Sequence, residues 1–246
     1  MNAFDKAVDL LSALQLKGCQ QSLSEILDDS EQNHISYINF LNNILQAEAS
    51  YRTDRRLKRN MSAAHFPILK SLEEFKFGRV KGVTKTDISL LLDFRWIDNH
   101  KNLLFFGPPG LGKTHLAIAI GLKAIQTGYT VSFEKISNLI KLLKTQEIHR
   151  MAGFRIRKIL KSDIVIIDEI GYTPIDRKEA NLFFNLISEL YEKRSVVITS
   201  NKSFNNWAEM LGDTVMTTAL LDRLLHHAKI FNLDGESYRI QKQKEV

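Results

Sequence analysis

The stretch "NLLFFGPPGLGKTHLAIAIGLKAI" (102–125) constrains the fold more than any other part of the chain. A short apolar run leads straight into a glycine-rich octet, Gly107 to Thr114, and a helical pattern follows. Gly107, Gly110 and Gly112 let backbone N–H groups turn inward with no side chain in the way. Lys113 adds a cation, and the N-terminus of the following helix adds a positive end. Strand, glycine loop, lysine and helix in that order make a phosphate-binding loop. A glycine turn with a surface lysine would not require the flanking strand and helix. On this reading Gly107, Pro108, Pro109, Gly110, Leu111, Gly112, Lys113 and Thr114 wrap the phosphates of a nucleotide. Lys113 meets the β and γ oxygens, and the Thr114 hydroxyl takes one position on Mg²⁺.

The rest of the chain fits around that unit. Residues 68–246 alternate helical patterns with short apolar runs rich in β-branched and aromatic residues: "NLLFFG" (102–107), "TVSFEKI" (130–136), "DIVIID" (163–168), "SVVITS" (195–200) and "KIFNL" (229–233). Runs that are apolar almost throughout belong to strands buried on both faces of a parallel sheet, with helices as crossovers. A three-layer α/β domain with a five-stranded parallel sheet is therefore expected. Residues 1–67 carry helical spacing and no strand-like alternation, so a small all-α N-terminal domain precedes it. In its first helix, "FDKAVDLLSALQLKG", Gly18 is the expected stop.

Composition limits the classes open to the chain. Its 246 residues are 44% hydrophobic, enough for a sizeable core. The single cysteine, Cys19, excludes an intramolecular disulfide and points to a reducing compartment. No apolar run approaches the roughly 20 residues that span a bilayer, and the N-terminus lacks a signal-peptide core. A cytoplasmic protein with no membrane partner is expected.

"IVIIDE" ends a strand in Asp168 and Glu169, at the sheet edge where α/β ligands bind. An acidic pair after a strand also suits a helix start. Beside a phosphate loop, Asp168 belongs in the Mg²⁺ shell, and Glu169 orients and polarises the attacking water. "VVITSN" ends its strand at Asn201, which suits either a turn or a hydrogen bond to the γ-phosphate or the water.

The formal charge of +6 is unevenly spread. Lys6 and Lys17 face seven acids in residues 1–50, whereas "YRTDRRLKRN" holds Arg52, Arg55, Arg56, Lys58 and Arg59 against Asp54. Arg52, Arg55, Arg56 and Arg59 fall at i, i+3, i+4 and i+7, on one helix face. A second cluster, "HRMAGFRIRKILK", holds Arg150, Arg155, Arg157, Lys158 and Lys161. An Arg-rich face is often only solvated, but two such clusters point to nucleic acid, bound through its phosphates. His226 and His227 are adjacent, without the i, i+4 spacing of paired zinc ligands, so no zinc site is expected.

Together these features resemble the AAA+ ATPases and, more narrowly, the IstB-like helpers of insertion-sequence transposition. The resemblance is carried by "LSALQLKGCQQSLSEIL", "GPPGLGKTHLAIAIG", "IIDEIGYTPIDRKEANLFFNLIS", "ITSNKSFNNW", "TALLDRLLHHA" and "GESYRI". It implies ATP and Mg²⁺ as cofactors, homo-oligomeric assembly on double-stranded DNA and stimulation of a transposase. It maps Asp168 and Glu169 onto the Walker B acids and Asn201 onto the sensor after the fourth strand. It also makes Arg223 a finger for the neighbouring subunit's γ-phosphate; by residues alone, Arg223 would be a solvated arginine paired with Asp222 or Glu209. Too little chain follows the fifth strand for the family's usual helical lid, which leaves Arg239 a weak second-sensor candidate. Lys17 and Cys19 stand where the family more often has proline and methionine. A DnaC-like helicase loader is the alternative; a small-molecule kinase gains nothing from the basic clusters.

Overall fold

A computed structural model describes residues 2–171 and 175–238 of the chain. Arg239 lies outside the described residues. The chain divides into two compact units, Met1–Arg59 and Asn60–Val246.

The first unit is built from helices α1 (Ala3–Ala13), α2 (Lys17–Gln32) and α3 (Tyr37–Ala64), the last turn of α3 counting with the second unit. Asn2 caps α1 reciprocally with Asp5. Helix α1 stops at Ala13 rather than reaching Gly18, which instead lies in the first turn of α2. The reason is packing: a Cβ on Gly18 would lie 2.7 Å from the Ala47 carbonyl oxygen of α3. Helix α2 has no side-chain cap of its own, and Glu48 of α3 supplies one. Glu48 Oε2 accepts from the N–H groups of Gly18 (2.7 Å) and Cys19 (3.2 Å). Cys19, Leu23 and Ile44 form the centre of this unit's core.

The second unit runs β1 (Val80–Lys81), α4 (Lys85–Leu91), α5 (Arg95–Asp98), β2 (Asn102–Phe106), α6 (Lys113–Thr127), β3 (Val131–Lys135), α7 (Ile136–Thr145) and α8 (Arg150–Lys161). It continues with β4 (Ile164–Ile170), α9 (Arg177–Leu190), β5 (Ser195–Ser200), α10 (Trp207–Leu211), α11 (Thr214–Leu225), β6 (Ala228–Asn232) and β7 (Asp234–Gly235). The five expected strands form one parallel sheet in the order β3-β4-β5-β2-β6. Every residue of β2 and β5 is buried, as continuous apolar runs require when both faces are covered. One face packs Leu104, Val165, Ile167 and Ile198 against α7, α8, α9 and α11. On the other, Ile166 meets α6, with its Cδ1 2.9 Å from where a Gly121 Cβ would stand. The leucine stripe of α11 packs as its spacing predicts, with Leu220 and Leu224 each 1% exposed.

One basic residue is displaced from its expected role. Arg155 is buried in α8 and cannot meet a DNA phosphate. Its Nε donates to Glu134 at 2.6 Å, while its other nitrogens donate to the Ala63 and Phe133 carbonyls (2.9 and 3.1 Å). Position 155 lies on the face of α8 that packs on the sheet, among Ala152, Ile156 and Ile159. Arg150 and Arg157 of the same cluster are exposed. Arg155→Leu strands the Glu134 carboxylate in the interior and is expected to lower stability by roughly 3–5 kcal/mol. Arg157→Leu changes it little, and urea unfolding of the two variants checks the difference.

Candidate nucleotide site

The C-terminal ends of β2, β4 and β5 surround a cavity of about 640 Å³, well within the range of small-molecule sites. Its lining includes Pro109, Gly110, Gly112, Lys113, Thr114, Glu169 and Asn201. The loop after β2 has left-handed backbone at Gly110 and Gly112 (φ 82° at both), which a side chain would strain. Gly112 also admits Phe75, whose ring carbon stands 2.6 Å from where a Cβ would be. Lys113 opens α6 and is 8% exposed, with its Nζ donating to the Gly107 and Pro108 carbonyls at 2.6 and 2.8 Å. The loop thus holds its cation over its own backbone, where the phosphates of a nucleotide would lie.

Asp168 is 1% exposed. Its Oδ1 accepts from the hydroxyls of Thr114 (2.7 Å) and Thr199 (2.6 Å), while Oδ2 is buried with no hydrogen-bond partner among the described residues. Burial pushes the Asp168 carboxyl above the usual carboxylate range, against the pull of the two threonine hydroxyls. A carboxylate so placed beside a threonine hydroxyl fits a hard divalent cation, which takes oxygen ligands and offsets the cost of the buried charge.

Glu169 follows directly, yet it too lines the cavity. Successive strand residues face opposite ways. Here β4 carries one extra residue against β5 between Ile167 and Ile170, and Glu169 sits at φ 64°. The bulge and the left-handed backbone re-aim its side chain, a strained conformation of the kind that gathers at functional sites. The Glu169 N–H donates to Thr199 Oγ1 at 3.0 Å, so one hydroxyl serves both acids. The Glu169 carboxylate pairs with Lys135, the last residue of β3, at 2.9 Å. Both partners are partly solvated, so the pair is worth at most about 1 kcal/mol and opens readily. Asn201 lies past the end of β5 with its Oδ1 buried and without a hydrogen-bond partner among the described residues.

Sequence reasoning missed Thr199, Lys135, Phe75, His115 and Tyr238, all of which touch this site or line it. A polar Thr199 inside an apolar strand run was one available signal, and the "GESYRI" stretch that holds Tyr238 was another.

Arg223 lies away from the cavity. It is half-buried, with its guanidinium carbon 4.8 Å from the centre of the Phe184 ring of α9 and its Nη1 donating to the Ala219 carbonyl at 2.9 Å. It pairs with neither Asp222 nor Glu209 among the described residues. Nearby, Glu192 joins His226 and His227, with ligand atoms all within 4.8 Å. The spacing of the histidines could not reveal that third residue; all three are exposed.

In the first unit, Arg52, Arg55, Arg56 and Arg59 line one groove with Tyr51 and Glu48, and Lys58 is exposed outside it. Arg52 donates to Glu48 at 2.6 Å, which holds the Glu48 carboxyl below the usual range. The internal partner of the row is therefore Glu48 rather than Asp54.

A parallel sheet with a phosphate loop after β2 and paired acids at the end of β4, on either side of β5, defines an AAA+ nucleotide-binding domain. The family model of the IstB-like ATP-binding proteins matches residues 9–246, and the chain belongs to that family. It is 38% identical to the insertion sequence IS21 ATP-binding protein of Pseudomonas aeruginosa, over 96% of this chain and 89% of that one. The IS5376 ATP-binding protein of Geobacillus stearothermophilus is also 38% identical, over 94% and 92%. Among solved structures, DnaI (TM-score 0.56, 18% identity, 67% of this chain and 91% of that one) shares the fold. The DnaC helicase loader shares it too (TM-score 0.51, 20% identity, 61% and 87%). Among the described residues, no helix is long and apolar enough to cross a membrane.

Proposed function

We propose that this protein is a cytoplasmic DNA-binding ATPase that assembles on duplex DNA and stimulates a transposase. The observation that carries the hydrolytic reading is Asp168, a buried carboxylate with one unpartnered oxygen beside Thr114 and the phosphate loop. Thr114 and Asp168 would hold Mg²⁺, which when bound neutralises charge on the β and γ phosphates. Lys113 and the loop N–H groups bind and orient the triphosphate. Glu169, released from Lys135, accepts a proton of the attacking water and aims it; Asn201 donates from its amide to the water or the γ-phosphate. Arg223 completes the site of the next subunit.

The transposition reading is supported by a family match that reaches back to residue 9, through the helical unit. The likeness to DnaI and to the DnaC helicase loader covers 67% and 61% of the chain and concerns the fold.

The groove of arginines on α3 is the phosphate-reading surface. Reversing the charge of Arg55 and Arg56 is expected to weaken binding to all duplex sequences alike. Each lost phosphate contact lowers the slope of log affinity against log salt by roughly 0.9. Fluorescence anisotropy over a salt series measures it. An unchanged slope would move the footprint to Arg150 and Arg157.

A further inference from the structure

Beyond the phosphate loop, the cavity continues between two walls that triphosphate contacts do not use. One wall is the segment preceding β1, with Ile68, Phe75 and Lys76; the other is His115 and Ile118 of α6. The segment after β6 ties these walls together. The Leu233 N–H donates to the Phe106 carbonyl at 2.7 Å, and β7 pairs antiparallel with β1. The Tyr238 N–H then donates to the Gly110 carbonyl of the loop at 3.1 Å, while the Tyr238 hydroxyl donates to the Lys76 carbonyl at 2.6 Å. A Cβ on Gly110 would lie 2.1 Å from Ser237 Oγ, so this segment rests directly on the phosphate loop. The Tyr238 ring, fixed at its backbone and at its hydroxyl, lines the cavity with its centre 6.4 Å from that of Phe75, the planes inclined by 49°.

We propose that Tyr238 positions the base of the bound nucleotide, its ring forming with Phe75 the aromatic wall against which the purine stacks. The inference rests on ATP binding, the property of the family, and not on hydrolysis. Any base offers a π-face, so a stack adds affinity without choosing between bases. A ring already held at both ends loses little freedom when the base arrives. The same contact puts the base under the segment that follows β6, so a nucleotide bridges the phosphate loop and that segment.

The test is calorimetric titration of the full chain with two ligands, the non-hydrolysable ATP analogue AMPPCP and inorganic tripolyphosphate, both with Mg²⁺. Tyr238→Ala is expected to weaken AMPPCP by about fivefold or more, the low end of a base–aromatic stack, and tripolyphosphate by less than about twofold. Tyr238→Phe keeps the ring and stays within about twofold of wild type for both. Equal losses for the two ligands in Tyr238→Ala would show that the residue only props the phosphate loop and overturn the proposal. Unchanged AMPPCP affinity would overturn it as well. Lys113→Ala should weaken both ligands; if it weakened neither, the location of the triphosphate would be wrong, which is a separate failure from that of Tyr238.

Discussion

Glu169→Gln is expected to leave ATP bound and to stop its hydrolysis. The amide is nearly the same size as the carboxylate but takes no proton from water, and loss of a positioned base costs roughly 10²–10⁴ in rate. Lys113 and the loop backbone, which are proposed to hold the triphosphate, are untouched by the change. Nucleotide-bound assemblies should therefore accumulate and persist. Single-turnover phosphate release, measured beside equilibrium ATP binding, separates the two effects. Hydrolysis at the wild-type rate would remove Glu169 from the water-orienting role and leave its left-handed backbone without a catalytic explanation.

The second large effect needs two inactive variants. On the proposed reading, Arg223→Ala keeps a working phosphate loop, and Lys113→Ala, which would no longer grip the β and γ phosphates, keeps a working finger. Neither alone should hydrolyse ATP at a useful rate, yet a mixture should regain activity wherever an intact loop faces an intact finger. A guanidinium stays charged at any relevant pH and donates to two phosphate oxygens at once. In the GTPases where such fingers were defined they contribute about 10³–10⁵ in rate, an upper guide for the loss in Arg223→Ala. In the isolated chain the guanidinium lies along the Phe184 ring and donates to the Ala219 carbonyl of its own helix, which keeps it ordered without neutralising it. No recovery in mixtures shown to co-assemble would leave Arg223 a local stacking partner of Phe184.

The parts of this molecule that were legible in its sequence are those whose cause is local. An apolar run needs no partner to be recognised as a buried strand, and glycines before a lysine announce a phosphate loop by themselves. Residues whose roles depend on distant partners were not legible. Arg155 shares its helix with four other cations, and the partners that hold it inward, the Glu134 carboxylate and the Ala63 and Phe133 carbonyls, all lie on other elements. Gly18 has the look of a helix stop because the Ala47 carbonyl that demands a glycine lies in a different helix. Tyr238 stands in the "GESYRI" stretch, which by itself assigns it no role; what places it is a backbone hydrogen bond to Gly110, across most of the domain in sequence.

The strand order has a consequence for how the protein comes into being. Strand β2, which launches the phosphate loop, pairs with β5 on one side and β6 on the other. Its first residue, Asn102, also donates from its side chain to the Leu224 carbonyl, 122 residues further on. Pairings this remote are slow to form, because the intervening chain must be closed into a loop before they return any stability. During synthesis from the N-terminus, β2 therefore waits with one edge open until β6 has left the ribosome. A nascent chain lacking β6 has all the glycines of the nucleotide site but only four of the five strands of the sheet that holds them in place.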